Sequence, residues 1–272
     1  MYSTLPEYHS DLNKVSALLT LTSSVKDFAG ISSSETTEQD VFLSHASDLH
    51  GISQENRANL VVLNGTLLLY VSGKFENFVR LTFEELCTNI ADKAERYNYL
   101  PKEMRENHVR LTAEVIANPR KYGHGDLGVK SFIKVLSDNL TDEVDLESIN
   151  TSCLSITSEN MRPKIINDLF KRVGINNIWE KISQQAKLQL FLETHDPAKA
   201  KKDAEAYLNK LMDIRNNIAH PASSFSWPDS EYIGKSIEFL KVLGEVLAES
   251  LAVIEFDLSR RIDEAKANKA RQ

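Results

Sequence analysis

Apolar residues recur at intervals of three and four over most of the chain. The pattern is helical from Glu38 to Tyr97, with a break expected near LHGIS. Its second part places Leu60, Leu63, Leu67, Val71, Phe75, Phe78, Leu81, Leu86 and Ile90 on one face. That spacing predicts a long helix buried along one side. Gly65 and Gly73 interrupt it, each at a cost of about 1 kcal/mol relative to alanine, which points to close approach of a neighbouring helix or to a kink. Later, HDPAKAKKDAEAYLNKLMDIRNNIAHP predicts a helix with Asp196 as N-cap and Pro197 at its first position. Tyr207, Leu211, Ile214 and Ile218 are its expected core stripe. The last helix opens at Asp229 or Ser230 and carries Ile233, Ile237, Leu240, Gly244, Leu247, Leu251 and Ile254 inward.

Shorter helices are predicted between these. One starts near Pro101 and stops before Pro119; another covers Val129 to Leu140. NMRPKIINDLFKRVGI is a helix ended by Gly174, and NNIWEKISQQAKLQLFLE follows as the next. No alternating strand pattern and no solenoid repeat is present. The expected fold is all-α, a single helical bundle with long early and C-terminal helices. Residues 1–36 read as an N-terminal extension or linker with a short helix from Asp11 to about Leu21. The helical domain is expected over 37–258. Residues 259–272 form a basic tail, with five basic and two acidic side chains, that is expected to fray.

Composition narrows the function. Of 272 residues, 42% are hydrophobic and 26% charged, as in ordinary globular proteins. A net charge of −7 argues against broad, sequence-independent nucleic-acid binding but leaves room for a local phosphate site. Cys87 and Cys153 are far apart in dissimilar contexts, so two reduced thiols are expected and no metal centre. The N-terminus lacks a basic start followed by an apolar block, and no apolar run is long enough to span a bilayer. The expected location is the cytoplasm, with no membrane partner and no cofactor.

The polar cluster MDIRNNIAHP ends the helix that Asp196 begins. Asn216 and His220 are four apart and share a face. Arg215 and His220 are five apart, roughly 140° around an ideal helix. They converge only if the helix ends near His220, which Pro221 favours, or if a second copy of the chain supplies one of them. Arginine can hold a phosphate through two parallel hydrogen bonds, and histidine moves protons near neutral pH. Together they suit metal-free, in-line attack of an RNA 2′-hydroxyl on the adjacent phosphorus. Cations near a helix C-terminus are also favoured by the helix dipole. From the residues alone, capping is the stronger reading.

RNNIAHP, Arg215 to Pro221, resembles the R-x4–6-H motif of the HEPN superfamily, with a polar residue directly after the arginine. LLLYVSGKFENFVRLTFEELC, then YLPKEMRENH, then MDIRNNIAHP before a long terminal helix resembles the RiboL-PSP-like HEPN branch. The resemblance spans roughly Thr37 to Leu258. It implies a HEPN-type helical fold, a homodimer with a composite site, and metal-independent endoribonuclease activity on an RNA substrate. It also implies the role of toxin or effector in a toxin–antitoxin or anti-phage defence system, with an antitoxin or defence-system partner protein. By position, Arg215 would bind the scissile phosphate, Asn216 would orient the site, and His220 would be the acid/base. Asn217 and Glu76 are auxiliary candidates. A tyrosine two residues after the histidine is the modification target in some HEPN toxins; here that position is Ala222. The rival reading is a non-catalytic HEPN interaction subunit of a defence complex. A third is a plain helical adaptor outside the family.

Other polar features have ordinary readings. His45 and His50 flank Asp48 without a third metal ligand at fitting spacing. His124 sits between glycines in KYGHGD, which matches no phosphate loop. Lys199, Lys201 and Lys202 form a charge run that either steers RNA or is a solvated face. Trp179 and Trp227 are expected in the core or an interface, with Trp227 near enough in sequence to border the cleft.

Overall fold

The computed structural model describes residues 2–29, 41–141, 145–220 and 226–270. The expected domain start at Thr37, together with Pro221 and Ala222, lies outside the described residues. Among the described residues there are eleven α-helices and no strand. They are α1 Thr4–Phe28, α2 Val41–Asn56, α3 Leu60–Ala94, α4 Lys102–Ala117, α5 Asp126–Asn139, α6 Thr151–Leu154, α7 Pro163–Lys171, α8 Ile178–Ser183, α9 Ala186–Phe191, α10 Pro197–Ala219 and α11 Ser230–Ala270. The fold is all-α, and the early α3 and C-terminal α11 are its longest helices, at 35 and 41 residues.

Several details depart from the sequence pattern. The first helix is not a short one from Asp11 to Leu21; α1 starts at Thr4 and ends at Phe28. Its buried face is Leu5, Tyr8, Leu12, Val15 and Leu19, a stripe interrupted in the sequence by polar residues such as Glu7, Ser10, Asn13 and Ser16. The α2–α3 break falls at 57–59, after LHGIS. The segment after Asn177 divides into α8 and α9. Helix α11 continues through the expected tail to Ala270, with Ile262 buried and Lys266 Nζ donating to the Lys93 carbonyl at 2.8 Å.

The chain forms two compact units. The smaller is Pro6–Phe75 with Lys210–Lys241. In it, Tyr8 donates its buried hydroxyl to the Leu240 carbonyl at 2.8 Å. Asp11 is held by Lys74 at 2.7 Å and Lys14 at 3.1 Å, which lowers its carboxyl pKa. Gly65 explains one interruption of α3. A Cβ there would overlap the Trp227 ring and lie 3.7 Å from Ile218 Cγ2. Gly73 has no atom within 4 Å of the corresponding position, so close approach does not account for it. On α3, Leu67, Val71 and Phe75 are buried as expected, but Leu63 is 49% exposed and its neighbours Asn64 and Gly65 face inward instead.

The larger unit is Met1–Leu5, Glu76–Asn209 and Val242–Gln272. Phe83 and Phe170 meet edge to face at 5.5 Å between centroids. Trp179, read as a core residue, is buried and donates its indole N–H to the Pro163 carbonyl at 2.9 Å. Gly174 follows α7 in the left-handed conformation, φ 85°, as the sequence predicts. His108 on α4 is fully buried. Its Nε2 accepts the Asn150 amide at 3.0 Å, and Nδ1 lies 3.2 Å from the Tyr97 hydroxyl, which donates to the Arg105 carbonyl at 3.1 Å. The neutral tautomer with its proton on Nδ1 satisfies every group in this chain.

Gly73→Ala is expected to stabilise the protein by about 1 kcal/mol through helix propensity. Gly65→Ala is expected to destabilise it, because overpacking against Trp227 costs roughly 1–3 kcal/mol and outweighs the same gain. Urea melts of the two variants check this; equal effects would contradict the Trp227 contact. Burial also pulls the His108 pKa down to about 4 from an ordinary 6.5. Between these values the unfolded chain takes up a proton that the folded site refuses. Stability should therefore fall as pH drops through this window, by up to roughly 3 kcal/mol. The fall should be smaller in His108→Gln; equal pH slopes in urea melts of the two proteins would contradict it.

Candidate functional site

Helix α10 begins as its sequence predicts. Asp196 Oδ1 accepts the Ala198 amide at 2.9 Å, and Pro197 is the first helical residue. Its buried face differs from the expected stripe. Ala200, Ala204, Leu208, Leu211, Met212 and Ile218 are buried, whereas Tyr207 and Ile214 are half-buried. The inward face is therefore turned by about one residue toward the small alanines. The seam Ala204, Leu208, Leu211 and Ile218 leaves one place unfilled by an apolar residue, and Arg215 occupies it.

Arg215 is half-buried. Its Nη1 donates to Asn216 Oδ1 at 3.3 Å, while its buried Nε–H has no acceptor among the described residues. No carboxylate pairs with it among those residues. Asn216 is also half-buried.

His220 is exposed at the end of the same helix. Its amide donates to the Asn216 carbonyl at 2.9 Å, so helical hydrogen bonding runs one residue past Ala219. Arg215 and His220 thus keep the angular separation of about 140° that five helical steps impose. Asn216 and His220 lie on one face. Asn217 is exposed. Ile218, between Asn217 and Ala219, anchors the segment: it is 6% exposed and packs beside Gly65 of α3.

The remaining candidates have these positions. Glu76 belongs to the larger unit, where its Oε1 accepts the Met161 amide at 3.3 Å. Trp227 is half-buried, with its ring against the Gly65 backbone. His45 is exposed; His50 is buried with its ring edge-on to Phe28 at 5.2 Å. His124 packs on Phe132 at 4.9 Å beside Gly123, whose φ of 75° makes the turn. Lys199 and Lys202 are exposed, and Lys201 pairs with Glu180 at 3.4 Å. Cys87 and Cys153 are free and buried, and burial raises both thiol pKa values. Among the described residues no cluster of His, Cys, Asp and Glu is placed to hold a metal ion, and no single helix is long and apolar enough to cross a membrane.

Sequence reasoning passed over Asn64. It is 5% exposed in the same unit as Arg215, and its Oδ1 has no donor among the described residues. The available signal was an amide inside the apolar run LVVLNGTLLLYV.

Comparison with known proteins yields one family. No curated protein and no solved structure matches the chain. The RiboL-PSP-HEPN family model matches residues 37–253, well over half of the 272 residues, and includes α3, α10 and most of α11. With its all-α fold and this match over most of its length, the chain belongs to the RiboL-PSP-HEPN family.

Proposed function

We propose that the protein is a metal-independent endoribonuclease of HEPN type, in which Arg215, Asn216 and His220 act on an RNA phosphodiester. The observation that carries this reading is the Arg215 guanidinium: half-buried, without a carboxylate among the described residues, and with a buried Nε–H lacking an acceptor. A scissile phosphate would supply the missing anion.

In the proposed reaction the 2′-hydroxyl attacks the adjacent phosphorus. The 2′-O–P bond forms as the P–O5′ bond breaks. His220 takes the 2′-hydroxyl proton, and the departing 5′-oxygen takes a proton from solvent. The products are a 2′,3′-cyclic phosphate and a 5′-hydroxyl. Arg215 stabilises charge on the non-bridging oxygens, worth most where water is excluded. Asn216 holds the guanidinium fork.

The angular gap between Arg215 and His220 on one helix supports a site shared between two copies of the chain. We therefore propose a homodimer whose two motifs share a cleft, Arg215 of one copy facing His220 of the other. The further role as a toxin or effector in a defence or toxin–antitoxin system, restrained by a partner protein, rests on family membership alone.

Incubating the purified protein with total RNA in EDTA tests the reading. Wild type is expected to cut RNA and leave cyclic-phosphate ends. His220→Ala should lose roughly a hundredfold or more in rate, the usual contribution of a general acid–base group. Cleavage by the variant at the wild-type rate would refute the assignment. Absence of cleavage by properly folded wild type would favour a non-catalytic interaction subunit.

A further inference from the structure

The first half of α3, in the smaller unit, is apolar on more sides than the fold covers. From Ala58 to Gly73 the sequence holds no charged residue. Leu67, Leu68 and Val71 are buried, as are Asn64 and Gly65. The opposite side is exposed and reads Val62, Leu63, Thr66, Tyr70 and Gly73. At roughly 100° per residue these five fall within an arc of about 100°. Exposed faces of other helices carry charge: Lys102 and Glu106 on α4, Arg260 and Glu264 on α11. A helix that is apolar all round is one that is covered all round, and contiguous exposed apolar surface marks an interaction site.

Gly73 lies inside this arc. Gly65 has its reason in the Trp227 ring, but within the chain nothing comes within 4 Å of a Cβ added at Gly73. Glycine inside a helix is destabilising, so position 73 weakens α3 with no contact of the chain's own to offset the loss. The arc also fits itself. In a two-fold dimer each patch meets its own copy, so a charged patch would bring like charges together, and this one has none. Antiparallel pairing about an axis level with Leu67 and Leu68 sets Val62 across from Gly73 and Tyr70 across from Thr66. Each bulky side chain then meets a small one, the alternation that lets facing layers interdigitate. Parallel pairing would instead set Tyr70 on Tyr70 and leave Gly73 facing Gly73. Asn59 and Lys74, the latter paired with Asp11 at 2.7 Å, border the arc, as a polar rim surrounds an apolar interface centre.

We infer that the arc of Val62, Leu63, Thr66, Tyr70 and Gly73 is the surface on which a second copy of the chain docks, its α3 antiparallel to the first. That copy is the partner which the proposed composite site needs, and only in this respect does the assignment rest on the functional reading. Ile218 packs at Gly65, roughly 60° round α3 from Val62. The end of α10 therefore lies at the border of the arc, next to the docked copy.

Sedimentation equilibrium of the full chain, without RNA, tests this. Wild type is expected to be a dimer at micromolar concentration. Thr66→Glu and Tyr70→Glu place like charges near the axis and should each weaken association about a hundredfold or more. Both positions are exposed, so helical circular dichroism should not change. Gly73→Leu should also weaken association, by filling the space across from Val62. Lys102→Glu, on the exposed side of α4, should leave the dimer intact. Dimerisation of folded Thr66→Glu and Tyr70→Glu proteins as tight as that of wild type would overturn the assignment of the arc, while leaving a dimer docked elsewhere to build the composite site. A wild type that stays monomeric up to the millimolar range would overturn it too. Cleavage of RNA by Arg215 and His220 would then have to be tested as the work of a single chain.

Discussion

The contact of the Trp227 ring with the bare backbone of Gly65 fixes where the end of α10 can lie. Any side chain at position 65 would occupy the space of that ring, and Ile218 packs beside the same point. Ile218 sits inside the polar segment, two residues before His220. Holding it against α3 sets the rotation of the last turn of α10. Arg215, three residues earlier, then falls on the buried seam, while Asn217 and His220 remain exposed. One glycine and one tryptophan thus convert a helix ending into a defined presentation of an arginine and a histidine.

Asp11 is held by two lysines, and Lys187 reaches Glu249 at 2.6 Å and Glu245 at 3.4 Å. Among the described residues Arg215 instead has one hydrogen bond, to the neutral side chain of the adjacent Asn216. The histidines show a similar division. His108 is enclosed with both ring nitrogens engaged, and burial keeps it neutral to about pH 4, so it works as a structural bridge. His220 stands exposed at the end of α10.

Much of the fold was legible because helical periodicity is a local signal. The caps at Asp196 and Asp229, the stop at Gly174 and the inward stripe of α11 from Ile233 to Leu251 follow from residue types a few positions apart. For the Arg215–His220 segment, spacing alone favoured capping, and the functional reading came from family resemblance. What could not be read depends on contacts distant in sequence. The small residues Ala200 and Ala204 turned the face of α10, and on α3 Asn64 and Gly65 face inward in place of Leu63, with Gly65 against Trp227. Intervening polar residues concealed α1, whose apolar residues are buried in the fold.

The central claim is that Arg215 and His220 serve one phosphate from two copies of the chain. Mixing purified Arg215→Ala and His220→Ala proteins, after dissociation and reassembly, tests it directly. If the site is composite, mixed dimers combine an intact arginine from one subunit with an intact histidine from the other. RNA cleavage should then rise well above that of either variant alone. If mixed dimers form and stay as inactive as the separate variants, both residues act within a single chain and the composite site is wrong.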